Sequence, residues 1–383
     1  MPELKEVSTE YMLFNAKREE QFITGSEAVR EAIKRANIDI AISYPITPQS
    51  ESMHLVGDLF AEGYIKEYFR GENEFAVMSQ IAGAAMAGVR TFTATCGPGT
   101  LRAFENFPLW AGSRLPIVMA FMTRGINAPL TIQPDTIEMG FLLDTGIMML
   151  HAENAQDLYD MLLMSFDIVE QTGVHIPIGV FVDGFFVTHT RQKVNVVIED
   201  VKLKPYNPAL SPVPHIDMET PPFRLMRDPF VMKSNYISYA AHASWQQEVM
   251  TSSYRAKKYI KKYLKNFIEH DNPDAPVQIV AAGTAVAQSR EAIKMLKNDG
   301  IDVGLLKIKL IRPFPADEVM AALSNSEKII IPEFNRNGWL CREVASVIHN
   351  NNRIIKGPRV YGGMTMPPDV IVQVVKDGTL VGV

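Results

Sequence analysis

Ile38-Asp39-Ile40-Ala41-Ile42, followed after Ser43 by Tyr44-Pro45-Ile46-Thr47-Pro48-Gln49, is the stretch from which the fold can be read. The first five residues have the β-branched, apolar character of a strand, and the two prolines behind them fix the backbone around Thr47. Upstream, Thr24-Gly25-Ser26-Glu27 has the spacing of a helix capping box, and Ala28, Val29, Ala32, Ile33 and Ala36 follow at helical intervals. Strand-like runs recur at Thr91-Phe92-Thr93-Ala94, Ile117-Val118-Met119-Ala120-Phe121 and Ile176-Pro177-Ile178-Gly179-Val180-Phe181. Helical stretches near 75–88, 100–112 and 154–172 separate them. This alternation predicts a mostly parallel sheet with helices on both faces, in which ligands sit beyond the carboxyl ends of the strands.

A second α/β pattern starts at Pro276. Its strands are expected at Val277-Gln278-Ile279-Val280-Ala281, Val303-Gly304-Leu305-Leu306-Lys307-Ile308 and Lys328-Ile329-Ile330-Ile331, with helices near 286–298, 316–324 and 338–349. Between the two patterns, seven of the 24 prolines fall in residues 201–230, which predicts an irregular connector; residues 254–267, rich in Lys and Tyr, read as a surface helix. The expected division is 1–200, 201–275 as connector, and 276–383.

The composition narrows the partners. Of 383 residues, 38 are Lys or Arg and 43 are Asp or Glu, so the net charge of −5 gives no long-range attraction to nucleic acid or an anionic membrane. With 47% hydrophobic residues, no transmembrane-length apolar run and no basic-then-apolar start, the chain reads as a folded cytoplasmic protein. Cys96 and Cys341 are the two cysteines, too few for a disulfide framework or a four-cysteine iron–sulfur cluster. The eight histidines show no metal-ligand spacing, so no metal site is expected on this chain.

Four loops at the predicted sheet edge could carry chemistry. The Thr47 hydroxyl can donate to an anion or carbonyl, although the same turn also serves as a rigid strand-to-helix connection. Gly71-Glu72-Asn73-Glu74 leads into an apolar helix, where a carboxylate is placed to be desolvated and to share a proton with a ligand. An acidic first turn complementing the helix dipole accounts for the same residues, and fits Glu72 better than Glu74. Small residues in the later turns of that helix predict something packed closely against it. Cys96-Gly97-Pro98-Gly99 lets a ligand approach backbone amides, but it is neither G-x-G-x-x-G nor a Walker A sequence and licenses no nucleotide. Arg124, after the 117–121 run, stands at the same edge as Thr47, where a guanidinium can grip a carboxylate; a surface arginine is the commoner case.

Taken in order, Tyr44-Pro45-Ile46-Thr47-Pro48, Glu72-Asn73-Glu74, Thr93-Ala94-Thr95, Arg114-Leu115-Pro116-Ile117-Val118-Met119, Ala128-Pro129, Asp144-Thr145-Gly146 and Val182-Asp183-Gly184-Phe185 resemble the alpha subunit of the 2-oxoacid:ferredoxin oxidoreductases. These are thiamine diphosphate enzymes of the pyruvate:ferredoxin oxidoreductase type. The resemblance implies an α/β fold: a thiamine-diphosphate pyrimidine-binding-type parallel sheet domain, plus a C-terminal α/β domain like the third domain of transketolase. The turn Arg312-Pro313-Phe314-Pro315 fits the latter. It further implies that Glu74 is the glutamate that hydrogen-bonds the pyrimidine N1′, that Pro45, Ile46, Cys96 and Gly97 border the cofactor, and that Thr47 and Arg124 hold the 2-oxoacid. The reaction implied is oxidative decarboxylation to an acyl-CoA, with Glu74 tuning a cofactor that supplies the hard chemistry.

What the family needs and this chain lacks points to partners. No Gly-Asp-Gly occurs, and Asp183-Gly184 has no following asparagine at the magnesium-site spacing. The resemblance therefore implies a beta subunit that holds Mg2+ and the diphosphate, a ferredoxin-like subunit carrying iron–sulfur clusters, and a gamma subunit. Pyruvate leads as substrate, since Arg124 with Ala128-Pro129 looks like the pyruvate branch. Thr95-Cys96-Gly97-Pro98-Gly99 is closer to the 2-oxoglutarate branch, and Phe75 and Arg102 depart from the family pattern, which keeps 2-oxoglutarate, branched-chain and aromatic 2-oxoacids such as phenylglyoxylate open. A non-catalytic structural subunit is the alternative of another class.

Overall fold

A computed structural model of the protein describes residues 4–127, 129–211, 239–348 and 351–378. The first half contains β1 (Lys5–Val7), β2 (Arg18–Thr24), α1 (Gly25–Ala36), β3 (Ile40–Ser43), α2 (Gln49–Ala61), β4 (Glu67–Arg70), α3 (Glu74–Met86), β5 (Thr91–Thr95), α4 (Gly97–Arg102) and α5 (Asn106–Gly112). Then come β6 (Val118–Thr123), α6 (Ile137–Leu142), β7 (Met148–Ala152), α7 (Ala155–Val169), β8 (Ile178–Asp183), β9 (Arg191–Val197) and β10 (Val201–Leu203). The remainder is α8 (Tyr239–Leu264), β11 (Ile268–Asp271), β12 (Val277–Ala281), α9 (Ala285–Asn298), β13 (Val303–Ile308), β14 (Leu310–Arg312), α10 (Ala316–Ala322), β15 (Lys328–Glu333), α11 (Trp339–Val347), β16 (Ile354–Arg359) and α12 (Pro368–Asp377).

Seven strands form the first sheet in the order β14-β7-β8-β6-β5-β3-β4, and five form the second in the order β11-β13-β12-β15-β16. Within the first, every pairing is parallel except that of β14 on β7. Within the second, only β11 runs antiparallel. The alternation read in the sequence thus becomes two largely parallel sheets, and the capping box at Thr24 and Glu27 starts α1 as expected.

Side chains alternate across the sheet and build different cores on its two faces. On β6, Val118, Ala120 and Met122 join α1, α2 and α7 on one side. Met119 and Phe121 face α3 and α5 on the other, in a core that continues into Val280, Leu306, Ile329 and Trp339 of the second sheet and its helices. One face of the first sheet is therefore covered by α3 and α5 together with the second half of the chain.

Several sequence expectations need correction. The stretch at 100–112 is two helices, α4 and α5, broken at residues 103–105. Residues 254–264 belong to a longer helix, α8, and 265–267 lie beyond its end at Leu264. Within the connector, Val201–Leu203 pairs in parallel with Lys5–Val7, and 212–230 lie outside the described residues, as do Ala128 of the Ala128-Pro129 pair and His349. The small residues of α3 do not receive a tight neighbour along their whole length: no other described segment comes within 4 Å of where a Cβ on Gly83 would stand.

Candidate active site

Strands β3, β5 and β6 are neighbours, so the loops leaving their carboxyl ends share one edge. The first carries Thr47, the second Cys96, and the third begins at Arg124. Arg124 Nη1 donates to the main-chain carbonyl of Thr47 at 2.8 Å, and Cys96 Sγ donates to the same oxygen at 3.2 Å. Two donors on one carbonyl fix the backbone that presents the exposed Thr47 side chain. Pro45 is exposed beside it, and Ile46 is half-buried against the core. Arg124 is buried, 5% exposed, where a surface arginine was the commoner expectation. Gly97 has φ +44°, and a Cβ there would stand 2.6 Å from Arg124 Cγ, so both its backbone conformation and its neighbour require glycine. Burial, with the Glu138 carboxyl nearby opposing a second negative charge, pushes the Cys96 thiol far above its ordinary range, so it acts as a hydrogen-bond donor and not as a nucleophile.

Glu74 is the first residue of α3, whose N-cap, Asn73, accepts a hydrogen bond from the Ala76 amide. Because Asn73 supplies the cap, the Glu74 carboxylate is free to turn inward: it is 5% exposed, while Glu72 is exposed. It lies over Gly99, where a Cβ would stand 2.7 Å from Glu74 Oε1 and 2.6 Å from the Thr95 hydroxyl. That buried hydroxyl has no hydrogen-bond partner among the described residues. Arg102, 63% exposed at its side chain, brings Nε to 3.9 Å from Glu74 Oε2. Phe75 beside it is 41% exposed and so is not the core residue that its chemistry favours.

The turn at 96–99 is thus the centre of the arrangement. Cys96 holds Thr47, Gly97 makes room for Arg124, and Gly99 makes room for Glu74. Sequence reading brought these residues to one edge but missed what lies beneath them. Glu138, in the first turn of α6, is fully buried, and burial raises its carboxyl well above the usual range. The only signal was an acidic residue inside an otherwise apolar helix. Asp183, at the end of β8, is committed to the protein itself. Its Oδ1 lies 3.2 Å from His151 Nε2 and accepts from the Thr123 hydroxyl at 3.3 Å; its Oδ2 accepts from the Thr284 amide and hydroxyl at 2.8 and 2.5 Å. Burial opposes the Asp183 charge, but His151 and Thr284 outweigh it and hold the carboxyl below its ordinary range.

Residues 31–256, more than half of the chain, match the thiamine diphosphate-binding domain of the pyruvate flavodoxin/ferredoxin oxidoreductases, and residues 275–371 match core domain II of pyruvate:ferredoxin oxidoreductase. The chain belongs to the 2-oxoacid:ferredoxin oxidoreductases, as an alpha subunit. It is similar to the pyruvate synthase subunit PorA of Methanothermobacter thermautotrophicus, 32% identical over 373 residues that cover 92% of this chain and 94% of that one. It is also similar to the ketoisovalerate oxidoreductase subunit VorA of Pyrococcus abyssi, 28% identical over 349 residues, 86% and 85% of the two chains. Among solved structures, the 2-oxoglutarate:ferredoxin oxidoreductase from Magnetococcus marinus aligns with a TM-score of 0.74 at 20% identity, covering 94% of this alpha subunit and 65% of that chain. A split-gene transketolase aligns with a TM-score of 0.53 at 15% identity, over 93% and 98% of the two chains. These two likenesses establish the shared fold.

The site of this alpha subunit suits the aminopyrimidine end of thiamine diphosphate. A buried carboxyl group in a cradle that a single Cβ would fill, with an orphaned hydroxyl next to it, is what a ring nitrogen sharing a proton with that carboxyl would complete. Among the described residues, no group of three His, Cys, Asp or Glu side chains is arranged to hold a metal ion, and no helix is long and apolar enough to cross a membrane.

Proposed function

We propose that this alpha subunit provides the pyrimidine half of a shared thiamine diphosphate site that oxidises pyruvate, with coenzyme A, to acetyl-CoA and CO2. The observation that carries the reading is the turn at 96–99, which gathers a buried carboxylate at Gly99 and a fixed Thr47–Arg124 pair at Cys96 and Gly97. Glu74 would hold a proton at its Oε atoms and share it with the pyrimidine N1′, and Pro45, Ile46, Cys96 and Gly97 would border the ring. When bound, thiamine diphosphate supplies the carbon nucleophile for attack on the keto group. Thr47 donates to the substrate's oxygen atoms, and the Arg124 charge draws its carboxylate. Mg2+ and the diphosphate are assigned to a beta subunit, the iron–sulfur clusters to a ferredoxin-like subunit, and a gamma subunit completes the complex.

A bulkier substrate is the second reading, favoured by exposed Phe75 and the charge of Arg102 beside Glu74. Similarity to a ketoisovalerate oxidoreductase subunit supports a branched-chain 2-oxoacid in that role. The test is viologen reduction by the natively purified complex with coenzyme A, across pyruvate, 2-oxoglutarate, 2-oxoisovalerate and phenylglyoxylate. Activity dependent on pyruvate supports the first reading, and activity with a bulkier acid alone replaces it with the second. Glu74→Gln is expected to lower turnover about a hundredfold or more while the complex still assembles. Full activity in that variant removes Glu74 from its role.

A further inference from the structure

Two buried ionisable groups meet beneath the turn at 96–99 without pairing. The Arg124 guanidinium donates to the main-chain carbonyls of Thr47 and Gly125, at 2.8 and 3.4 Å, and makes no ion pair among the described residues. Glu138 is 0% exposed, and neither of its carboxyl oxygens has a hydrogen-bond partner among the described residues. It lies beside the amides of Gly97 and Arg124, near enough to the guanidinium to feel its charge and near enough to Cys96 to raise that thiol. Two unpaired buried charges would be costly, whereas an acid that keeps its proton removes one of them.

We propose that Glu138 is a specificity-determining positioning residue: as a neutral acid it leaves the Arg124 charge uncompensated and able to draw a substrate carboxylate to Thr47, and as a carboxylate it cancels that charge. This rests on the reading in which Arg124 and Thr47 hold the 2-oxoacid. The groups around Glu138 have defined effects. Burial and the Asp135 carboxyl oppose its ionisation, while the nearby amides of Gly97 and Arg124, outside hydrogen-bond geometry, and the Arg124 charge favour it. From α4's start comes the un-ionised Cys96 thiol, and from α11 comes Trp339, apolar apart from an indole N–H bonded to Thr136, with Glu343 turned away to Arg312.

The experiment is the pH dependence of kcat and KM for the 2-oxoacid that the assembled complex oxidises, from pH 6 to pH 9, in wild type, Glu138→Gln and Glu138→Asp. In wild type KM is expected to rise with pH as Glu138 ionises, by about tenfold for each pH unit past its titration point, while kcat changes little. Glu138→Gln is expected to hold the low KM across the range, and Glu138→Asp to keep the slope. An unchanged slope in Glu138→Gln overturns the role of Glu138 and leaves the proposed function standing. If Glu138→Gln does not assemble, a flat wild-type KM overturns it equally, and a slope retained in Glu138→Asp supports it. A complex that oxidises no 2-oxoacid overturns the proposed function, and this role with it.

Discussion

At Gly99 the missing side chain is what makes room for the chemistry, because the space a methyl group would take is already held by the Glu74 carboxylate and the Thr95 hydroxyl. A contact of 2.7 Å is too short for a carbon, so Gly99→Ala must push Glu74 out of its cradle. Glu74 is held by little else, its ion-pair contact being Arg102 at 3.9 Å, so the carboxylate will yield before the α4 backbone does. The expected outcome is loss of turnover of the same order as for Glu74→Gln, about a hundredfold, with an unchanged far-ultraviolet circular dichroism spectrum. Turnover within twofold of wild type would mean that the cradle is not needed. None of this was visible in the string Thr95-Cys96-Gly97-Pro98-Gly99, which presents a flexible turn and not the side chain that fills it.

Among the elements, the connection from α7 to β8 shows how one titratable residue fixes a turn. His175 adopts φ +37° and is fully buried; its carbonyl accepts from Arg114 Nε at 2.9 Å, and its Nδ1 lies 3.1 Å from the Gln171 carbonyl. Burial, with the Arg114 charge beside it, lowers its pKa from 6.5 to about 4. Below pH 6.5 the unfolded chain takes up a proton that the folded chain refuses, so stability falls as the pH drops from about 6.5 through 4. The full loss is about 3 kcal/mol. His175→Asn tolerates the left-handed backbone and removes the ionisable ring. Urea midpoints at pH 7 and pH 4.5 should therefore differ less in the variant than in wild type, and equal differences would remove His175 as the cause. Strands buried on both faces, such as β6, β8, β12 and β13, were legible from their predominantly apolar runs. The edge strands were not. β4, Glu67-Tyr68-Phe69-Arg70, and β14, Leu310-Ile311-Arg312, are four and three residues long, too short to show a period, and what makes them strands is pairing with a neighbour from another segment.

On the scale of the whole molecule, the two sheets are joined by polar as well as apolar contacts. Asp183 and His151 lie at the carboxyl edge of the first sheet, and Thr284 stands at the N-terminus of α9 in the second half. Asp183→Ala would leave His151 and the Thr284 amide and hydroxyl without their buried acceptor. A loss of about 3 kcal/mol or more follows from breaking a buried charged network at one member, measurable as a lowered urea midpoint. A loss below about 1 kcal/mol would show that the shared apolar core alone joins the halves.

The join also runs through a covalently continuous detour. β14 leaves the second half, adds to β7 with Leu310 opposite Leu150, and the chain then returns to the second sheet. Without it, Met148-Met149-Leu150-His151-Ala152, buried at every position, would form an open border with a row of unused amides and carbonyls. Such a border recruits strands from other molecules. A gene cut after residue 275, at the boundary that the two sequence patterns invite, should thus yield an N-terminal fragment that self-associates. Light scattering at increasing concentration would register this, and a peptide spanning residues 308–314 should suppress it by supplying the absent strand. The natural unit of inheritance and of engineering is accordingly the whole chain: its latter part works as a built-in chaperone for the former, and a recombination joint between them would be selected against even where both pieces kept every residue of the site.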